Sequence, residues 1–361
     1  MADREIILNQ KPQINISRST AGRMWLVFCC AGLAVIQSAL SDGGASLVLA
    51  LTVLCCAILA ELLITWRKSG FEKVKDGSAA ASAMVLSLLL PNYIHPLYGA
   101  FGALFAIVVV KHSFGGLGSN WLNPGLGAWL FVRFSWPLAF DKALEGSPLS
   151  IISASLRSGV PGLHDAPMNL FRMSAAGANS LDAGLTAFFN NTIFAITGAE
   201  LPPGYIDLLF LRSPGIIADR GLLALLAGTI IITAFKINRS WIAAVFLALF
   251  GFLTWFAGDL LFGGLYRNGD VLFALFSGGT IAAAFILASE PASGAKSKPG
   301  ALFVVVLGAI LSWSFRFQGL EVYGCFCALA LVNALTPVIR FFELKLFFSR
   351  GRKIEAQEVS V

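Results

Sequence analysis

Charged residues are scarce in this sequence. Only 13% of its 361 residues are Asp, Glu, Lys or Arg, whereas 57% are hydrophobic. So few charges cannot cover the surface of a soluble globule of this size. This composition excludes an ordinary soluble domain and predicts an integral membrane protein. The first 23 residues are polar and basic and lack an early apolar core, so we expect no cleavable signal peptide.

Histidine and cysteine are also few. The three histidines are scattered, and none has metal-ligand spacing with another histidine or a cysteine. The six cysteines all lie inside apolar runs, where we expect them to pack in helix contacts. Ligation of a metal or an iron–sulfur cluster together with a partner subunit is the alternative. From the spacing of the histidines and cysteines we predict no metal site within this chain. The sequence also shows no nucleotide-binding loop and no Ser-His-Asp arrangement, so we predict neither kind of active site.

Apolar segments recur along the whole chain at about the length that a membrane-spanning helix needs. We therefore predict an all-α polytopic membrane protein with about ten transmembrane helices. The predicted segments are residues 24–40, 45–66, 78–91, 97–111, 124–140, 221–236, 241–258, 271–288, 300–316 and 320–339.

Lys and Arg lie mostly in alternate loops and at the two ends. They follow the even-numbered segments, at Arg67, Lys111, Lys236, Lys296 and Arg340. An even number of spans places all of these on one side, which the positive-inside rule makes cytoplasmic. Topology therefore explains the net charge of +6 better than binding to nucleic acid does. We predict cytoplasmic segments at 1–23 and 341–361 and an extracytoplasmic loop at 141–220.

An octapeptide recurs in the two halves of the chain. GALFAIVV at 102–109 returns as GALFVVVL at 300–307, and a short run of small residues ending near a proline precedes each copy. The first copy would start inside and the second outside. We predict two five-helix repeats of inverted topology, 24–140 and 221–340. Chance similarity of two apolar octapeptides is the alternative.

Five glycines interrupt the apolar pattern in GGLGSNWLNPGLGAW, residues 115–129. Irregular backbone at membrane depth is tolerated only where it is buried in protein or lines a cavity. We therefore predict that Asn123 and Pro124 lie close to a bound group or an ion path at the repeat interface. The alternative is a tight turn followed by a helix that begins at proline.

Charged groups within segments are further candidates. Glu61 lies late in the second segment and Arg133 inside the fifth, and either is unfavourable if it faces lipid. We predict Glu61 on an ion path; the alternative is a helix-end residue that reaches the cytoplasmic interface. Glu290 and Arg316 lie at predicted segment ends, where solvation explains them.

The stretch VVVKHSFGGLGSNWLNPGLGAWLFVRFSWP, residues 108–137, resembles a segment of the RnfD/NqrB family. Residues 275–343 resemble its C-terminal half, with an SGG step, a Ser-Glu-Pro triplet and a helix that begins at glycine. The resemblance covers about residues 24–345 in order, and the length is closer to RnfD than to NqrB.

The resemblance implies a membrane subunit of a redox complex that moves Na+ or H+. In this family the loop after the fifth span carries FMN, linked through its phosphate to a Thr hydroxyl. The matching stretch here is DKALEGSPL, with Asp141 and Pro148 in place and Ser147 where the acceptor stands. Glu145 adds a negative charge beside the expected phosphodiester. We expect covalent FMN on Ser147; a loosely bound flavin or loss of the flavin are the alternatives.

The resemblance also implies the partners: other Rnf-type membrane subunits and peripheral flavin and iron–sulfur proteins, in a bacterial inner membrane. Chemistry on NAD and ferredoxin would belong to those partners. A second flavin, a non-covalent riboflavin, is expected between the repeats. The alternatives are an NqrB-type subunit of a Na+-translocating NADH:quinone reductase and a redox-silent channel of the urea or ammonium kind.

Overall fold

A computed structural model gives the fold of this chain. It describes residues 19–66, 74–145 except 114, 117, 119 and 121, and then 180–196, 198, 205–210, 214–257, 270–317 and 322–359. Ser147 and Pro148 lie outside the described residues.

The described part of the chain is helical throughout and contains no strand, apart from one isolated bridge between Pro91 and Ile216. The first half contains α1 (Thr20–Ser41), α2 (Ala45–Thr65), α3 (Ser78–Leu89), α4 (Pro96–Phe105) with a π-helical extension (Ala106–His112), α5 (Pro124–Ser135) and α6 (Pro137–Ala143). The region between the halves contains α7 (Ser180–Thr192), a 3-10 turn (Phe194–Ile196) and α8 (Tyr205–Leu209).

The second half begins with a short helix that leads into a longer one. Its elements are α9 (Ile217–Arg220), α10 (Leu222–Ala234), α11 (Ser240–Ala257), α12 (Val271–Phe276), α13 (Thr280–Ala282) with a π-helical extension (Ala283–Ala288), α14 (Lys298–Phe317) and α15 (Gly324–Val359).

Helices lie at all ten predicted segments, and the prediction of a polytopic, all-helical membrane protein is confirmed. Five helices in the described part are long and apolar enough to cross a membrane, namely α1, α2, α11, α14 and the Gly324–Lys345 part of α15. Others are shorter; α3 has 12 residues and rises about 18 Å, less than the hydrocarbon thickness of about 30 Å.

Three of the predicted segments differ from the structure in form. The segment 124–140 divides at Trp136 into α5 and α6. The segment 271–288 is not one helix either, because Ser277–Gly279 interrupt it between α12 and α13. Gly279 has φ 65°, a conformation that suits glycine and interrupts an α-helix. The last helix continues to Val359, well beyond the predicted end at 339. The two octapeptides also begin at different distances from the starts of their helices. Gly102 lies six residues after Pro96, the first residue of α4. Gly300 lies only two residues after Lys298, the first residue of α14.

Local sequence explains the helix starts. Ser19 caps α1 by accepting a hydrogen bond from the Gly22 amide, and Asn123 caps α5 in the same way through the Leu126 amide at 3.1 Å. Pro96 and Pro124 stand at the first turns of α4 and α5, where a missing N–H leaves no unmet hydrogen bond.

The two halves pack closely through α1. This helix contacts α2 and α3 of its own half and α9 and α10 of the other half. Gly221 allows the close approach, because a Cβ at this position would overlap the carbonyl oxygen of Ala34 on α1. Cys30 contacts Gly228 at the same junction, as expected for a cysteine in a helix contact.

We therefore expect Gly221→Ala to separate α1 from α10 and lower the stability of the fold. Overpacking of this kind typically costs about 1–3 kcal/mol. Thermal unfolding of the purified protein in detergent measures the effect. Gly32→Ala on α1 is the control, since a Cβ there has no atom within 4 Å and should leave the midpoint unchanged or raise it. Equal midpoints for Gly221→Ala and Gly32→Ala would contradict this account of the junction.

Candidate functional site

A cavity of about 280 Å³ lies where the two halves meet. Residues of α1 and α3, the start of α5 and the end of α10 form its walls, together with the π-helical turn after α13 and the following turn. The walls combine apolar and polar side chains. The apolar residues include Val27, Val85 and Ile286, and the polar ones include Ser82, Asn123, Asn238 and Glu290.

Asn123 joins the two halves at this cavity. Its side-chain oxygen caps α5, while its amide Nδ2 donates to Glu290 Oε2 at 2.8 Å. The Ser293 hydroxyl donates to the same Glu290 oxygen at 2.9 Å. Asn123 and Pro124 both line the cavity, where the sequence interpretation places a bound group. Glu290 is not simply solvated at a segment end, as its position in the sequence suggested, because Asn123 and Ser293 both donate hydrogen bonds to it.

Glu290 lies in the turn after the second π-helical element, outside the membrane-spanning helices. Burial raises its pKa above the ordinary value, although the hydrogen bonds from Asn123 and Ser293 and the positive charge of Lys296 act in the opposite direction. Burial and the neighbouring Arg340 and Arg239 lower the pKa of Lys296. The cavity lining therefore contains a carboxyl group with a raised pKa, Glu290, and an amino group with a lowered pKa, Lys296.

Arginines hold the turn beside the cavity. Arg340 Nη2 donates to the carbonyl oxygens of Ala292 and Gly294 at 2.7 and 2.8 Å. Arg239 Nη1 donates to the carbonyl oxygen of Ala295 at 2.7 Å. These bonds satisfy backbone groups of an irregular segment, which keeps the wall that carries Glu290 in place.

Glu61 forms a second polar centre between α2 and the π-helical end of α4. Its Oε2 lies 2.9 Å from Lys111 Nζ and 3.0 Å from His112 Nε2. The side chains of Glu61 and Lys111 are 1% and 3% exposed, so Glu61 faces protein rather than lipid or the interface. The structure therefore does not agree with the interpretation of Glu61 as a helix-end residue that reaches the cytoplasmic interface.

Arg316 is buried as well, where its place at a segment end suggested solvation. Its guanidinium donates to the carbonyl oxygens of Ala274 and Ser277 at 2.6 and 2.7 Å and to the side chains of Ser277 and Thr280. It thereby binds the broken ends of α12 and α13. The carboxylate of Asp219 accepts hydrogen bonds from the Gly278 and Gly279 amides at 2.9 and 2.7 Å and completes this network.

Asp141, the first residue of the expected flavin loop, is tied to both halves. Arg133 Nη2 lies 3.4 Å from Asp141 Oδ1, and the Tyr323 hydroxyl donates to the same oxygen at 3.3 Å. The Arg133 guanidinium also lies over the Tyr323 ring, 4.8 Å from its centroid. Arg133 thus faces protein, and Asp141, six positions before Ser147 in the sequence, contacts both Arg133 of α5 and Tyr323 just before α15.

Comparison with known proteins identifies the class. The NQR2, RnfD, RnfE family matches residues 7–348, nearly the whole chain, so the chain belongs to this family. It is 30% identical over 352 residues to the D subunit of the ion-translocating oxidoreductase complex of Alcanivorax borkumensis, covering 93% of this chain and 95% of that protein.

Two further relatives align over nearly the same length. The D subunit of the proton-translocating ferredoxin:NAD(+) oxidoreductase complex of Clostridium ljungdahlii is 26% identical, with 96% of each chain covered. The D subunit of the ion-translocating oxidoreductase complex of Shewanella sediminis is 27% identical, covering 91% of this chain and 93% of that protein. The resemblance recognised in the sequence motifs is therefore confirmed.

The raised pKa of Glu290 predicts a stability effect. Between the ordinary carboxyl pKa of 4.5 and its raised value, the folded state keeps a proton that the unfolded chain has released, so stability falls as pH rises. Glu290→Gln keeps hydrogen-bonding atoms but does not titrate. We expect the unfolding midpoint in detergent to fall less steeply with pH in this variant than in the unchanged protein.

The exposed Glu145→Gln serves as the control, because it removes a carboxylate that lies away from the cavity. Its midpoint should follow that of the unchanged protein at every pH. If Glu290→Gln and Glu145→Gln both gave the unchanged slope, the carboxyl group at the cavity would have no role in the pH dependence.

Proposed function

We propose that this chain is the RnfD subunit of an Rnf-type complex, a redox-driven ion translocase that couples electron transfer between ferredoxin and NAD to movement of Na+ or H+. The family and the names of its relatives support the complex. The main structural support for a role of this chain in the electron path is the cavity between the halves, where Asn123 donates a hydrogen bond to Glu290.

A flavin fits the chemistry of this cavity. Its volume of about 280 Å³ is close to the lower end of ligand pockets, which measure about 300–1,000 Å³. A flavin ring has apolar faces and one edge of alternating hydrogen-bond donors and acceptors. Val27, Val85 and Ile286 would cover the faces, while Asn123, Asn238 and Glu290 would bind the edge. A bound flavin supplies reversible transfer of one or two electrons.

A second flavin, FMN bound covalently to Ser147, belongs to the same proposal. Ser147 lies outside the described residues, but the anchored Asp141 six positions before it supports the assignment. The loop starts from a fixed point because Arg133 and Tyr323 both hold this carboxylate. A fixed start limits where the loop can place its cofactor, and electron transfer between flavins depends on their approach and orientation.

The inverted five-helix repeats are part of the proposal too. Both α3 and α13 follow a glycine in the left-handed conformation, Gly77 with φ 72° and Gly279 with φ 65°. In each case the first helical residue, Ser78 or Thr280, accepts a hydrogen bond from a buried cation at the end of a long helix. Helix starts of the same form at matching places support an inverted repeat with functional sites near them.

We further assign Glu61 to the ion path, both termini to the cytoplasm and the chain to a bacterial inner membrane. Partner subunits would bind ferredoxin and NAD. Within this chain, Asn123, Glu290 and the arginine-held turn orient the flavin and exclude water from its edge. Glu61 and its neighbours bind the cation in transit.

Flavin content before and after denaturation tests the two cofactor sites separately. The full chain is co-expressed with a flavin transferase, purified and precipitated with acid. Flavin released into solution reports the cavity, whereas fluorescence that stays on the denatured chain in a gel reports the covalent site. We expect Ser82→Phe, which fills the cavity, to abolish the released flavin alone, and Ser147→Ala to abolish only the covalent fluorescence.

Thr52→Phe is the matched control. Thr52 lies on α2 away from the cavity and, like Ser82, is partly exposed and bonds to a carbonyl oxygen of its own helix, at 2.8 Å from Val48 O. This variant should keep both signals. Released flavin that survives Ser82→Phe would remove the cavity from the proposal, and a colourless unchanged protein would argue against a redox role for the chain.

A further inference from the structure

The ammonium group of Lys111 contacts two side-chain oxygen atoms. Its Nζ is 2.9 Å from Glu61 Oε2 and donates to Ser78 Oγ at 2.6 Å. The Ser78 hydroxyl in turn donates to Asp76 Oδ1 at 2.6 Å. A carboxylate and a hydroxyl, with a second carboxylate behind the hydroxyl, are the oxygen ligands that hard monovalent and divalent cations take in proteins. The lysine thus occupies a place suited to a cation.

The π-helical end of α4 produces this arrangement. Lys111 and His112 are consecutive residues, which would point in different directions on a regular α-helix. In the π-helical turn Ala106–His112 both reach the same Glu61 oxygen. Such turns inside α-helices occur frequently at functional sites. The His112 side chain is 18% exposed and connects the buried centre to the surface of the protein.

The corresponding centre in the other half differs in one respect. Arg316 binds Thr280 as Lys111 binds Ser78, but its planar guanidinium is held by four acceptor oxygens at once. Arginine stays charged, and these bonds fix the orientation of its guanidinium. Arg316 therefore holds the ends of α12 and α13 together. Lysine carries a compact charge on a flexible stem and makes fewer contacts here. The Arg316 centre therefore has a structural role, whereas the Lys111 centre can exchange its cation.

We propose that Glu61, Ser78 and Asp76 form a binding site for a monovalent metal cation, which Lys111 fills with its own ammonium group in this structure. The ammonium and the metal ion carry the same charge, so one replaces the other without changing the charge of the buried cluster. A buried carboxylate without a counter-charge is strongly unfavourable. Lys111 therefore leaves only when a cation enters, and its flexible four-carbon stem lets the ammonium group move away from Glu61.

This inference rests on the proposed function, since it names the binding step of the ion path. It makes Lys111 a gate that keeps the site filled when no metal ion is bound. The path from the His112 side of the cluster then conducts no free cation in the resting state. Cations do not leak across the membrane, because the oxygen atoms that would bind a metal ion already bind the Lys111 ammonium group.

The test compares Na+ binding to the full chain with and without the lysine charge. Lys111→Met keeps the length of the side chain and removes the ammonium. We expect it to bind radioactive Na+ in a choline chloride background at least about tenfold more tightly than the unchanged protein. Lys75→Met removes an exposed positive charge close to the same end of α3 and should bind like the unchanged protein. The double variant Glu61→Gln, Lys111→Met should lose the binding.

A second measurement needs no substitution. If Na+ displaces the ammonium group, saturating NaCl should increase modification of Lys111 by an amine-specific reagent, while exposed Lys75 reacts equally in NaCl and choline chloride. Mass spectrometry of peptides reports both residues. Lys111 labelling that does not depend on Na+, or Na+ binding to Lys111→Met no tighter than to Lys75→Met, would overturn the proposal and leave a structural ion pair.

Flavin content of the same samples separates this inference from the proposed function. Na+ exchange in a protein that binds no flavin would support the cation site and refute the redox role. A protein that carries flavin but does not exchange Na+ for Lys111 would refute the cation site alone.

Discussion

Two helices that begin inside the molecule, α3 and α13, impose the main constraint on this protein. A helix that begins inside the molecule has amide groups without partners, and lipid offers no water to satisfy them. The protein meets this need with side chains: Asp76 accepts from the Ser78 amide at 2.7 Å, and Asp219 accepts from Gly278 and Gly279. Each carboxylate then requires positive charge nearby. The starts of α3 and α13 thus bring buried ionic groups to two fixed points.

The cavity depends on the same construction. Asn123 caps α5 beside α3, and the turn that follows the π-helical extension of α13 carries Glu290 to meet it. A displacement of α5 or of the turn after α13 would change this hydrogen bond and the cavity wall. The proposed cofactor site and the proposed cation site therefore share α3 as a common element. If both proposals hold, α3 would connect the flavin directly to the ion path, because both sites contact this one short helix.

The sequence predicts the helical segments well, because apolar runs and basic flanks carry a direct signal. It also predicts Asn123 and Pro124 close to a bound group, since irregular backbone in a membrane protein needs a buried environment, and in the structure both residues line the cavity between the halves. It fails for Glu290 and Arg316. Both stand at segment ends where solvation is the usual outcome, and their partners come from distant parts of the chain. The π-helical turns leave no mark in an apolar run, so the meeting of Lys111 and His112 at Glu61 becomes visible only in three dimensions. The octapeptide was the basis for predicting an inverted repeat, but its two copies begin at different distances from the starts of their helices and so do not support the repeat by themselves.

Ion movement that depends on electron transfer is the central claim, and one measurement tests it directly. Membrane vesicles are prepared from a host in which this chain replaces the host's own RnfD protein. Reduced ferredoxin and NAD are supplied, and uptake of radioactive Na+ or of protons is followed. The account predicts uptake that begins with electron transfer and stops when either substrate is omitted. Uptake that proceeds equally without electron transfer would identify a channel and contradict the account.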